Sequence, residues 1–344
     1  MPRFIIPLAA PALLVAGWAI FSQTRSAAES ASAASRPARR GSVTRSDLEK
    51  HYDLSDPQVD LSKFVVPGVP KDGIPALTDP ARTSVKTATY PRPQGRVAVV
   101  SIKGQTVAYP LGILNFHEIA NDVVGETPIA VTYCPLCDSV AVVDRRLTTQ
   151  DQAGKSQTRT LEFGVSGFLL NSNVVMYERG TKGLWSQVYA QAITGPDGGR
   201  SLRHLPVVMM SFAHYRKLYP EGSVLTTKTG HRRPYDRNPY ERYLEPDRIC
   251  RDLDFGFDKR LEPKTLGMGV KSGETLVFVT ARRARQAAVT IKTARGEIVI
   301  GASEQGMRLE RAPREAQTLQ TFYHSWSAFH PKTTIIDVAQ AEPK

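Results

Sequence analysis

Cysteine is scarce in this chain of 344 residues: there are three, Cys134, Cys137 and Cys250. That excludes the disulfide-dense design of small secreted domains, and a chain this long needs neither a staple nor a metal to form a core. A cysteine pair here therefore calls for a chemical reason. The common catalytic signatures are missing as well. There is no G-x-S-x-G elbow, phosphate-binding Walker loop, dinucleotide glycine fingerprint, H-E-x-x-H helix or C-x-x-C-H haem attachment. Gly164-Val165-Ser166-Gly167 imitates the elbow, but its second glycine comes too early. It reads as a bend in a strand, where small side chains let another backbone approach.

Long apolar runs are also lacking, with one exception. Ile5 to Phe21 carries no charge, follows Arg3 and precedes a small-residue stretch from Ser26 to Ser35. This length is at the lower limit for a membrane-spanning helix, and Pro7 and Pro11 shorten its regular part. The expectation is a signal peptide or N-terminal membrane anchor over residues 1–33, engaging the membrane or export machinery. A disordered Ala/Ser/Arg-rich tether follows over 34–58, then a β-rich domain over 59–344. An extracytoplasmic, periplasmic or membrane-tethered location follows from that segment. The net charge of +12 is scattered rather than gathered with aromatics, which argues against nucleic acid and for an anionic envelope surface.

Apolar residues at 41% and charged residues at 23% sit near globular averages. The pattern is mainly β (α+β), with barrel-like or sandwich halves and a few short helices. Residues 95–107 predict a hairpin turning at Lys103-Gly104. Leu111 to Val124 predicts an amphipathic helix closed by Gly125, with His117 on its flank. Ile129 to Tyr133 predicts a strand running into Cys134, and Val140 to Val143 a strand leading away from Cys137. Three strands follow within 161–189, then a helix over Ser211–Tyr219 and a strand over Ser223–Thr227. The segment Gly230 to Tyr243 is basic and tyrosine-rich. Val270 to Leu276 echoes Ile102 to Val107 at an offset of 169, and Phe322 to Pro331 echoes Ser211 to Pro220 at 111. This predicts a degenerate duplication, halves 90–228 and 260–340, whose second copy lacks the central meander.

Cys134-Pro135-Leu136-Cys137 between two strands has the layout of a knuckle whose backbone N–H groups stabilise thiolates. Two cysteines three apart serve metal ligation and thiol–disulfide exchange alike. The strand-like sequel to Cys137 withholds the helix dipole of thioredoxin-like sites and so argues against redox. Two ligands do not complete a metal site. The expected set is Cys134, Cys137, His117 and Met176, with His324 or His330 able to complete it, and its softness favours copper, then zinc. The alternatives are a Cys134–Cys137 disulfide in a non-catalytic envelope interaction module, whose partner surface is Gly230–Tyr243, or a thiol–disulfide redox protein. Cys250 reads as an isolated thiol, and Trp185 and Trp326 as core aromatics. No catalytic activity is assigned.

The ordered series Ala108-Tyr109-Pro110, Asn115-Phe116-His117-Glu118, Asn121-Asp122, Thr132 to Cys137, Phe163 to Gly167, Asn171-Ser172-Asn173, Met176-Tyr177 and Leu184 to Gln187 resembles the DUF3179 family. Pro239-Tyr240 and Phe329 to Thr333 fit it too, so the resemblance covers about residues 70–335. It implies a bacterial or archaeal, commonly exported protein and brings no established activity. The chain departs from the pattern at Asp138 and over Val270–Val279.

Overall fold

The computed structural model describes residues 44–150, 153–245, 258–303 and 305–338. All of them fall in one compact unit, Val43–Lys344. The Ile5–Phe21 segment and Cys250 lie outside the described residues, within which no helix is long and apolar enough to cross a membrane.

Two copies of one motif make up most of the unit, as the weak sequence echo predicts. The first has strands β1 (Arg96–Ile102) and β2 (Gln105–Pro110), a hairpin of β3 (Ile119–Val124) and β4 (Thr127–Cys134), and strand β5 (Ser139–Asp144). A meander of β6 (Phe163–Leu170), β7 (Asn173–Glu178) and β8 (Leu184–Ser186) follows, and β9 (Val208–Ser211), a helix over Phe212–Leu218 and β10 (Ser223–Leu225) complete the copy. The second copy runs through β11 (Leu266–Ser272), β12 (Thr275–Thr280), a helix over Ala281–Gln286, β13 (Val289–Thr293), β14 (Gly296–Ser303), β15 (Gly306–Arg311), β16 (Gln317–Phe322), a helix over Tyr323–Phe329 and β17 (Thr334–Ile336).

Strand order is alike in the two halves. The first copy reads β9-β1-β2-β10 and the second β16-β11-β12-β17; in each, the first strand is antiparallel to its neighbour and the last is parallel. Register refines the offset. Ser223 pairs with Val107 where Thr334 pairs with Val277, and Met209 pairs with Ala98 where Gln320 pairs with Met268. The shift is therefore 170 residues for the opening hairpin, one more than the sequence echo gave, and 111 for the closing helix. The two hairpins turn on different glycines, Gly104 at the second turn position and Gly273 at the first, so matching glycine to glycine gives 169 where the register gives 170. The copies also cross: β16 joins β5 through Gln320 and Val140, and β9 packs beside β15. No closed barrel forms.

Two expectations fail. The helix predicted over Leu111–Val124 stops at Leu114, and Ile119–Val124 is a strand. Glu118, with φ +55, breaks the helix, and Gly125 and Glu126, with φ +52 and +62, make the turn of a β-hairpin rather than a helix cap. Ile119, Val123 and Val124 fit either period, and pairing with β4 decides for the strand. The tether is also shorter than expected. Thr44 caps a helix over Arg45–Glu49 whose Leu48 is 1% exposed, and Tyr52 donates a 2.6 Å hydrogen bond to the Ser166 carbonyl. One leucine and one tyrosine anchor a segment whose average composition looks unfoldable. The Gly164–Gly167 bend behaves as predicted: the β6–β7 ladder shifts register there, and a Cβ on Gly167 would run into the Val69 carbonyl oxygen.

Candidate functional site

Strand β4 delivers Cys134 into a tight turn closed by the Cys137 N–H on the Cys134 carbonyl at 3.2 Å. Asp138, with φ +45, ends the turn. Its carboxylate accepts two Arg96 guanidinium N–H groups at 2.9 Å and the Tyr133 hydroxyl at 3.0 Å, so this side chain holds the turn by its outer corner. The cysteines are free thiols, 1% and 0% exposed.

Residues far apart in the chain converge on this turn. The Ser172 carbonyl is the common acceptor for Cys134 Sγ, at 3.7 Å, and Cys137 Sγ, at 3.1 Å. Asn173 donates to Ser139 Oγ, which donates to Gln187 Oε1, while Gln187 Nε2 donates to Thr132 Oγ1 and the Ser139 carbonyl. This buried network explains why the Asn-Ser-Asn and Leu-Trp-Ser-Gln motifs accompany the cysteines: they are its floor. The second copy supplies the lid of the turn. Phe322 N–H and Thr321 Oγ1 donate to the Cys137 carbonyl at 2.8 and 3.1 Å, and the helix that follows begins with Tyr323, His324 and Ser325.

Burial alone raises a thiol's pKa, and it does so at Cys134, reinforced by the Cys137 charge. At Cys137 burial is outweighed by hydrogen bonding from the Cys134 thiol and by His324 and Ser325, so its pKa is lowered where that of Cys134 is raised. His324 donates Nδ1–H to the Pro263 carbonyl at 3.1 Å, leaving Nε2 buried and without a hydrogen-bond partner among the described residues. Glu118 is close by as well, its carbonyl accepting the Tyr133 N–H at 2.7 Å and its side chain buried. Burial, then the Cys137 charge, pushes its carboxyl up to about 8.

His117 is not part of this cluster. Its Nδ1 is 2.7 Å from the Pro75 carbonyl and its Nε2 2.7 Å from the Tyr235 hydroxyl, so both nitrogens are committed away from the sulfurs. Burial holds it neutral, with a pKa lowered to about 4. It was expected on a helix flank, and the early end of that helix turns it toward Tyr235. Met176 is 2% exposed in the same apolar cluster as both cysteines. His330 packs on the Trp326 ring, 4.2 Å between centroids. Among the described residues no three His, Cys, Asp or Glu side chains already stand in metal-binding geometry. Glu118 went unassigned in the sequence because it sat in a helical pattern. Its proximity to Cys134 follows only from the pairing of β3 with β4.

The segment Gly230–Tyr243 folds back over this region. Tyr235 is 7% exposed against His117, and Tyr243 donates a 2.9 Å hydrogen bond to the Leu136 carbonyl, covering the turn.

No curated protein and no solved structure gives a significant match. A family model does, the protein of unknown function DUF3179, over residues 71–320. The match takes in the turn and the meander, and with well over half of the sequence inside it the chain belongs to the DUF3179 family.

Proposed function

We propose that this is an extracytoplasmic thiol–disulfide protein whose working centre is Cys134 and Cys137. One observation carries the reading: two free, buried cysteines lie against one carbonyl oxygen, with the His324 imidazole and the Glu118 carboxyl buried nearby. The thiols' opposite pKa shifts, Cys134 raised and Cys137 lowered, favour Cys137 as the nucleophile without the helix dipole whose absence argued against redox.

The chemistry balances with a disulfide RS–SR′ as co-reactant. The Cys137 thiolate attacks one sulfur, forming Cys137–S–SR and releasing R′S⁻. The Cys134 thiol then gives its proton to the released R′S⁻, and the resulting thiolate attacks Cys137 Sγ and expels RS⁻. Two electrons pass from the dithiol to the disulfide, and the reverse sequence donates a disulfide. Both sulfurs are covered, so exchange requires the Tyr243 contact to Leu136 to open.

A second reading, binding of a soft ion with copper(I) ahead of zinc, is favoured by the unpartnered His324 Nε2 beside Cys137. The Nδ1–H bond to Pro263 is the support a ligating imidazole commonly has. In it His324 takes the role expected of His117.

In a Cys250→Ser background, the redox reading expects Cys134→Ser to trap a mixed disulfide at Cys137 and Cys137→Ser to abolish reaction. Equilibration of the dithiol in thiol–disulfide buffers should give one two-electron transition. If both thiols stay reduced across that range while the protein retains stoichiometric copper(I) that His324→Ala releases, the metal reading replaces this one.

A further inference from the structure

A cleft of about 260 Å³ opens beside the cysteine turn, lined by Tyr90, Arg92, Arg96, Tyr133, Arg237 and Leu244 among others. Its volume lies just below the range of roughly 300–1,000 Å³ usual for ligand pockets, which limits the occupant to a small molecule. The cleft is tied to the turn at three points. Tyr133 precedes Cys134, Arg96 grips Asp138 through two hydrogen bonds, and Leu244 follows the Tyr243 that covers Leu136. Opening the cover over the sulfurs therefore opens the same wall of the cleft.

Charge indicates the ligand. Three guanidiniums line the cleft, and Arg96 is neutralised by Asp138. Arg92 and Arg237 form no ion pair or side-chain hydrogen bond among the described residues, and the single carboxylate lining the cleft with them is Asp236. The balance is cationic. The rings of Tyr90, Tyr133 and Tyr235 with Leu111 supply apolar surface for a short carbon chain.

We infer that this cleft is the substrate subsite of the dithiol and that it takes small disulfides or thiols whose arms carry carboxylates. The inference rests on the thiol–disulfide reading and adds the substrate class to it. Carboxylates would be held by Arg92 and Arg237 while the sulfur end meets Cys137 as the cover opens.

Two probes of matched length test it: 3,3′-dithiodipropionate, a dianion, and cystamine, a dication. Rates of mixed-disulfide formation are measured on the Cys250→Ser protein at low and high salt. The expected result is a preference for the dianion of about tenfold at low salt that shrinks as salt screens the charges. Arg92→Gln/Arg237→Gln should bring the ratio near one, while Arg311→Gln, an exposed arginine outside the cleft, should leave it unchanged. Suberate, the sulfur-free analogue of the dianion, should bind in calorimetry, and the double variant should lose that binding. Equal rates for both disulfides, or a preference untouched by the double variant, overturns the subsite and spares the dithiol reading. Suberate binding that needs the two arginines, with neither disulfide reacting, keeps an anion site and overturns the dithiol reading and the substrate assignment together.

Discussion

Glu118 gives the sharpest quantitative handle on the site. Its folded carboxyl titrates at about 8 against an ordinary value of 4.5, because burial and then the Cys137 charge disfavour the carboxylate. Between those values the folded state holds a proton that the unfolded state has released, so this group's contribution to stability falls as pH rises. Each pH unit in that window removes about 1.4 kcal/mol, on the order of 5 kcal/mol in all. Cys137 works in the opposite sense: its folded pKa is lowered, so its contribution grows with pH up to the ordinary thiol value of 9.0. His117, His204 and His330, lowered to about 4 by burial, also favour the folded state as pH rises, but only up to 6.5. The raw pH profile therefore mixes signs, and the informative quantity is the difference between wild type and Glu118→Gln. Urea unfolding at intervals from pH 5 to 9 should show glutamine slightly destabilising or neutral at pH 5 and increasingly stabilising toward pH 8, with a plateau above. A difference that stays flat across this range would mean that the carboxyl titrates normally and is not held beside a charged Cys137.

Three further outcomes are expected. Gly167→Ala, at φ +88 and against the Val69 carbonyl, should lower stability by about 1–3 kcal/mol in urea unfolding, since both strain and collision oppose the new methyl. Leu48→Ala should cost about 2–5 kcal/mol, and deletion of residues 1–43 should leave the thermal transition in place while deletion of 1–50 lowers it, because the helix at Arg45–Glu49 belongs to the fold. Cell fractionation should find the protein outside the cytoplasm, and recovery from the cytosol with Met1 retained would refute export.

How far the sequence discloses this molecule depends on the range of the interaction that decides each feature. The hairpin at Lys103-Gly104 and the strands flanking the cysteines are decided locally, by turn chemistry and β-branched runs, and they stand as read. The Leu111–Val124 segment is decided by a partner strand: one-sided apolar spacing suits a helix, yet two consecutive positive-φ residues at Gly125-Glu126 make a hairpin. His117 was the nearest histidine in sequence and lies with its nitrogens turned elsewhere, whereas His324, 187 residues beyond Cys137, reaches the site because the second copy crosses the first. Spacing along the chain carries no information about that crossing. The same holds for Glu118, next to His117 in the chain and brought to the cysteines only by the pairing of β3 with β4.

The duplication explains why there is one such site rather than two. In the first copy Cys134 pairs with Ser139 across the turn that carries Cys137; in the second, the corresponding hairpin ends on Ser303 and Gly306, neither of them a cysteine. The residue corresponding to His324, at the same point of the first copy's helix, is Ala213. Each copy thus keeps one half of the constellation, the dithiol turn in the first and the imidazole in the second, and the crossing of β16 onto β5 brings the halves together. The meander completes it, since Ser172, in the β6–β7 turn, and Gln187, just after β8, belong to a segment that only the first copy contains, between β5 and β9. A fragment carrying the first copy alone would keep both cysteines and lose the groups that ionise Cys137, so the site belongs to the joined pair of repeats and not to the turn that marks it in the sequence.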